Sequence, residues 1–290
     1  MNQLKLGIPK GSLESATVDL FAQAGWNIRS HSRNYFPSID DDEISCALVR
    51  SQEMGPYVAG GTMDAGLCGI DWIYETQADV EVVCDLVYSK ASDQPSRWVL
   101  VVDRNSPVQQ VADLEGKVIS TELVGYTRRY LEERGINARV EFSWGATEAK
   151  VVEGLADAAV EITETGTTIK AHGLRIVCDL LHTHTVMVAN REALADKWKK
   201  AKIEQIALML NSALAARHLV LLKMNAPVAA LDEITGLLPS LHAPTVNPLT
   251  DPAWVAVETV VERRAVRDLI PRLRASGAEG ILELDLKNVC

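Results

Sequence analysis

The feature that most constrains this chain is a series of short, almost wholly apolar runs at residues 3–8, 44–49, 65–70, 80–87, 98–102, 118–120, 139–142 and 158–162. A strand exposed on one face alternates apolar and polar residues, so runs without alternation predict strands buried on both faces. Between most of them lie helical patterns. Leu13, Thr17, Leu20, Phe21 and Ala24 recur at helical spacing, with Ser12 placed to cap the start and Gly25 to close the end; residues 126–134 repeat the pattern before Gly135. Buried strands alternating with helices predict an open α/β fold with parallel sheets covered on both faces.

No stretch rich in Pro, Gly or Ser divides this region, so a split into two lobes has to be made by crossing strands. The polar run SDQPSR at 92–97 suggests one crossing, and residues 183–189 suggest the return. A long helical stretch, 191–217, follows with Ile203, Ile206, Ala207, Leu210 and Leu214 at core spacing. Its lysines, Lys197, Lys199, Lys200 and Lys202, read as a solvated face. Strand at 218–224, helix at 228–237, strands at 243–246 and 254–261, helix at 265–275 and strand at 280–284 then spell βαββαβ, the order of a ferredoxin-like unit. The expected organisation is one lobe from 1–94 and 182–216, a second from 95–181, and the ferredoxin-like unit from 217–290.

Composition narrows function by exclusion. A net charge of −10 offers no basic field for nucleic acid, so anionic substrates would need local cations or Mg²⁺. No run approaches the ~18–20 apolar residues that span a bilayer, and MNQLKLGIPKG has no apolar signal region, which points to the cytoplasm. The five cysteines form no CxxC and read as free thiols.

Chemistry is suggested most strongly at 155–168, LADAAVEITETGTT, where a buried strand opens into a hydroxyl-rich loop and a helix. Successive N–H groups of Glu164, Thr165, Gly166, Thr167 and Thr168 can converge on one phosphate, with the threonine hydroxyls as neutral donors. Glu161, at the strand end, can accept from two ribose hydroxyls. The same residues also suit an ordinary capped turn. Lys10 and Gly11 lie at the carboxyl end of the first strand, where open α/β sheets bind ligands, and Lys10 can meet polyphosphate there or stand as an exposed loop lysine. Arg50 and Asp64 flank further strands, Asp71 can cap a helix starting at Trp72, and Glu122, Glu148, Arg128 and Arg129 are weaker candidates. His182 and His184 lack partners spaced for a metal site. Neither a P-loop nor GxGxxG is present.

Taken together, LGIPKGSL at 6–13, DAGLCGID at 64–71, STEL at 120–123, TRRYL at 127–131, and GLADA at 154–158 with ETGTTIKAHGL at 164–174 resemble the ATP phosphoribosyltransferase family, in its long form, over essentially the whole chain. The resemblance implies two lobes like a periplasmic binding protein and a C-terminal regulatory domain. It implies that N1 of ATP attacks the anomeric carbon of phosphoribosyl pyrophosphate with Mg²⁺ present, releasing pyrophosphate, without a covalent nucleophile. Glu161, Glu164, Thr165, Gly166, Thr167 and Thr168 would hold the ribose 5-phosphate. Lys10, Gly11 and Arg50 would face nucleotide or pyrophosphate, with Asp64, Glu122 and Glu148 nearby. Asn225, Leu241, Thr245 and Gly280 match a pocket for histidine as inhibitor, and a homo-oligomer of dimers forming hexamers is implied. The chain departs from the family's usual Asp at Glu161, its frequent Tyr at Leu123, and the Asp and Ala found in related chains at Asn225 and Gly280. A prephenate dehydratase, or a solute-binding module without catalysis, would share parts of this architecture.

Overall fold

The computed structural model describes residues 2–29, 35–88, 94–239 and 243–290. The chain forms two compact units, one of Met1–Ala22 and Trp26–Ala207 and the other of Gln23–Gly25 and Leu208–Cys290.

In the first unit the chain begins β1 (Leu4–Lys10), α1 (Glu14–Ala24), β2 (Ile28–Arg29), β3 (Ser38–Ile39), β4 (Ile44–Arg50), α2 (Ser51–Ala59), β5 (Ala65–Gly69), α3 (Ile70–Thr76) and β6 (Glu81–Leu86). It continues β7 (Ser96–Asp103), β8 (Val118–Thr121), α4 (Val124–Glu132), β9 (Arg139–Phe142), α5 (Thr147–Val152), β10 (Ala158–Thr163), α6 (Thr167–Ala171) and β11 (Leu174–Thr183). β12 (Thr185–Ala189), α7 (Arg191–Ala195) and α8 (Lys197–Arg217) follow, the last passing into the second unit at Leu208.

Two five-stranded sheets result, ordered β4-β1-β5-β12-β6 and β11-β7-β10-β8-β9. The apolar runs are strands, but the sheets are mixed rather than parallel throughout. β1 runs parallel to β4 and β5, and β8 to β9 and β10, whereas β12 is antiparallel to β5 and β6, and β7 to β10 and β11. The antiparallel members are those through which the chain changes sheets, from β6 to β7 and from β11 to β12. A strand arriving from another sheet has no crossover helix to impose parallel direction.

Close packing explains why this sequence fits. Gly7 of β1 and Gly66 of β5 are register partners, and a Cβ on them would lie 2.3 Å and 2.4 Å from Met54 Sδ. The two glycines seat the fully buried Met54 of α2 against the sheet. α1 begins at Glu14, so Ser12 lies in the preceding turn instead of capping the helix.

The helix expected over 191–217 breaks at Asp196, which is extended, and its Oδ1 accepts from the Trp198 and Lys199 N–H groups at 2.9 Å each. One aspartate thus ends α7 and starts α8. The lysine run is also only partly solvated. Lys202 is 9% exposed and pairs with Asp41 at 2.8 Å and Glu43 at 2.7 Å, and Lys199 pairs with Asp64.

The second unit holds β13 (Leu219–Pro227), α9 (Leu231–Leu237), β14 (Thr245–Pro248), β15 (Trp254–Glu262), α10 (Val266–Ala275) and β16 (Glu279–Asp285). Its sheet is antiparallel with order β14-β15-β13-β16, the ferredoxin-like arrangement read from the βαββαβ pattern. Val220, Leu222, Met224 and Ala226 alternate toward a core shared with Ile234, Leu269 and Leu273 of the helices. No helix among the described residues is long and apolar enough to cross a membrane.

Candidate active site

Both sheets of the first unit contribute to a cavity of about 420 Å³. From the first sheet it takes Lys10, Gly11, Arg50 and Gln52, at or beyond the carboxyl ends of β1 and β4, with Gly69 at the end of β5 and Asp71 and Trp72 beyond it. From the second it takes Trp98 of β7, Glu122 after β8, and Glu161, Ile162 and Glu164 at the end of β10. Parallel strands end side by side, so residues distant in sequence converge there.

The two cations are placed differently. Lys10 Nζ sits 3.6 Å from the centroid of the Tyr35 ring, a cation–π contact that leaves its donors free for an anion. Arg50 ends β4 exposed and directly precedes α2.

Carboxylates outnumber them. Burial, and then the nearby Glu148 charge, push the Glu161 acid up to about 7, with Glu122 adding a smaller push and a hydrogen bond from Thr147 opposing it. Burial also raises Glu122, opposed by a hydrogen bond from Gln52. Glu148 lies beside Glu161 rather than in the cavity wall, with His172 Nδ1 3.7 Å from its Oε1. Three glutamates far apart in sequence therefore share one electrostatic environment. Such a surplus of hard oxygen donors suits Mg²⁺ carried in with phosphates. Among the described residues no three His, Cys, Asp or Glu side chains converge as a metal site.

The phosphate-loop candidates are less uniform than the sequence suggested. Glu161 and Glu164 line the cavity, while Thr165, Gly166, Thr167 and Thr168 follow at the entrance of the short α6. Gly166 has φ 75°, a left-handed conformation that other residues reach at a cost of roughly 1–2 kcal/mol. Its N–H donates to Thr163 Oγ1 at 2.8 Å, and the Thr167 N–H is aimed at Thr165 Oγ1 at 3.4 Å. Two of the five expected backbone donors are thus turned to the loop's own hydroxyls.

Asp64 is not brought to the cavity. It precedes β5, at the opposite end from Gly69, and its carboxylate accepts from the Lys5 N–H at 2.8 Å and Lys199 Nζ at 2.7 Å. Asp71 is not a helix cap either: it is buried, and its Oδ2 accepts from Trp98 Nε1 at 2.6 Å. Leu123 is buried in the core of the second sheet, so its side chain offers no face to a nucleotide. His184 pairs with Asp85 at 2.7 Å and His182 lies 3.8 Å from Asp179. The sequence motifs single out neither Gln52 nor Trp98. Gln52's place just after a strand end was a usable signal, whereas nothing local marks Trp98.

In the second unit Asn225 and Thr245 lie on the sheet face opposite the helices, Asn225 aligned through Ala256 with Asn247 and Thr245 paired with Glu258. Gly280 adjoins Asn225, whose Nδ2 would lie 3.9 Å from a Cβ there. Leu241 lies outside the described residues.

The profile of the family described as HisG, ATP phosphoribosyltransferase, matches residues 50–212, and that of the HisG C-terminal domain matches 216–288. The chain belongs to the ATP phosphoribosyltransferase family. It is similar to the ATP phosphoribosyltransferases of Nitratidesulfovibrio vulgaris, 61% identical over 99% of this chain and 98% of that protein, and of Geotalea uraniireducens, 58% identical over 99% of both. These full-length matches, with the C-terminal domain included, place it in the long form of the family. Among solved structures it resembles the ATP phosphoribosyl transferase (HisG:HisZ) complex from Thermotoga maritima, at 27% identity and TM-score 0.62, over 72% of this chain and 99% of that one. A histidine kinase sensor domain with similarity to periplasmic binding proteins, 13% identical over 74% of this chain and 91% of that one with TM-score 0.51, shares the two-lobed fold alone.

Proposed function

We propose that the chain transfers the phosphoribosyl group of phosphoribosyl pyrophosphate to N1 of ATP, releasing pyrophosphate, as the committed step of histidine biosynthesis. The observation that carries the reading is identity near 60% along the whole chain to proteins of that name, in a chain whose two sheets enclose one cavity.

Lys10 and Arg50 take polyphosphate on one side of the cleft. On the other, Glu161 accepts from the ribose hydroxyls while donors of residues 164–168 other than the Gly166 and Thr167 N–H groups hold the 5-phosphate. Catalysis rests on aligning the adenine edge with the anomeric carbon and on neutralising charge that develops on the departing pyrophosphate. Mg²⁺ would be held chiefly through the substrate phosphates, with Glu122 and Glu161 of the cavity wall as candidate carboxylate contacts, and would supply part of that neutralisation. Residues 1–94 with 182–216 and residues 95–181 act as the two catalytic lobes.

Residues 217–290 serve as the regulatory domain, with histidine binding at Asn225, Leu241, Thr245 and Gly280 and the chain assembling as a dimer or hexamer in the cytoplasm. The test is pyrophosphate release from phosphoribosyl pyrophosphate and Mg²⁺ with and without ATP. ATP-dependent release is expected; release independent of ATP, or none, rejects the reading.

A further inference from the structure

α3 follows a strand of the first sheet yet is held at both ends by the second. At its start Asp71 accepts from Trp98 of β7, and Trp72 packs on the second sheet's core with its ring edge-on to Trp98 at 6.2 Å. At its end the Glu75 carboxylate accepts from two consecutive backbone N–H groups of α4, Gly125 at 2.7 Å to Oε1 and Tyr126 at 2.7 Å to Oε2. One turn on, Arg129 Nη2 donates to the Tyr74 carbonyl.

These two amides belong to the first turn of a helix, where N–H groups have no intrahelical acceptor. The residue before α4 is Leu123, whose side chain cannot accept a hydrogen bond, so the cap has to come from elsewhere. Glu75 supplies it from across the cleft, with a negative charge at the positive end of the helix dipole. Gly125 permits the approach: a Cβ there would lie 3.0 Å from the Glu75 carbonyl oxygen and 3.2 Å from its Oε1.

The position of α4 matters because Glu122 lies two residues before it, in the cavity wall. We propose that Glu75 is a positioning residue for the transfer reaction: capping α4 from the first sheet's side, it fixes the spacing between the Lys10 and Arg50 side of the cleft and the Glu122 and Glu161 side. This rests on the function proposed above. In that reading polyphosphate is held at Lys10 and Arg50 and the ribose 5-phosphate at Glu161 and residues 164–168, so the clasp acts on the mutual alignment of groups held on opposite sides. A misplacement of about 1 Å can cost roughly 100-fold in rate.

The experiment compares wild type with Glu75→Gln, which puts an amide NH₂ against one of the two N–H donors, and Gly125→Ala, which wedges α3 from α4. Far-UV circular dichroism checks the fold, and titration calorimetry gives the separate affinities for ATP and for phosphoribosyl pyrophosphate. The expected result is native dichroism, affinities within about threefold of wild type, and kcat lowered at least tenfold in both variants. Unchanged kcat, affinities that fall in step with kcat, or loss of native dichroism in both variants would overturn the proposal. An inactive wild type would instead reject the proposed function.

Discussion

Replacing Glu161 by Gln removes a charge that the fold resists while keeping the side chain's shape, so stability and activity should move in opposite directions. Burial first, and the Glu148 carboxylate second, hold the Glu161 acid at about 7 against 4.5 for an unperturbed glutamate. Its folded-state value lies above the unfolded one, so the folded chain holds the extra proton in this interval, and the stability that proton confers is lost as pH rises from 4.5 to about 7. At 1.36 kcal/mol per tenfold change, ionising Glu161 costs the fold about 3 kcal/mol at pH 8 and about 1 kcal/mol at pH 5.5. Glu161→Gln escapes that cost, and at roughly 2 °C per kcal/mol for a chain of this size its Tm should exceed the wild type's by ~6 °C at pH 8 and by ~2 °C at pH 5.5. Its apparent KM for phosphoribosyl pyrophosphate should rise by about tenfold or more, because a charged acceptor for the ribose hydroxyls is lost at roughly 1.5–3 kcal/mol. Thermal unfolding at both pH values, with steady-state kinetics at pH 8, tests both halves. A variant no more stable than wild type at pH 8, or one whose advantage does not shrink at pH 5.5, refutes the electrostatic argument; an unchanged KM refutes the ribose contact.

Thr168→Val should raise the apparent KM for the sugar phosphate about fivefold through loss of one hydroxyl donor at roughly 1 kcal/mol, and an unchanged value would assign that loop to structure. Lys202→Met leaves Asp41 and Glu43 without their shared ammonium, and a loss of about 1–3 kcal/mol is expected, reduced from the fully buried case because Glu43 is exposed; a Tm within 1 °C of wild type, roughly the error of the measurement, would contradict it. Asn225 offers no charge to a histidine ammonium, so calorimetry should find histidine bound weakly and more tightly by Asn225→Asp. Tight binding by wild type that Asn225→Ala leaves unaffected would remove that reading.

Much of the architecture is legible in the sequence, because burial writes a local period into it. Unbroken apolar runs placed eight of the ten strands of the two sheets to within a few residues, missing β11 and giving β12 only as the return crossing, and alternation with helices gave the βαββαβ tail its order. The loop at 164–168 and the strand ends at Lys10 and Arg50 were visible because turns and strand termini have characteristic residues. Long-range partners have no such period. Asp64 and Asp71 look alike as carboxylates beside one strand, yet the first pairs with Lys199 and the second with Trp98, both remote in sequence. The lysines of α8 look alike on a helix, but only the fold decides that Lys202 is enclosed by Asp41 and Glu43.

The family motif itself was readable in the chain, so sequence alone determined the fold class and the chemistry to expect. The tertiary structure decided which glutamates meet, which N–H groups of the phosphate loop are already taken, and that α4 is capped by Glu75 from the other sheet. The physical reason is that secondary structure follows from each segment's own spacing of apolar and turn residues. Electrostatic and capping partners instead depend on how strands are ordered and where the chain crosses between sheets, which no local window of sequence records.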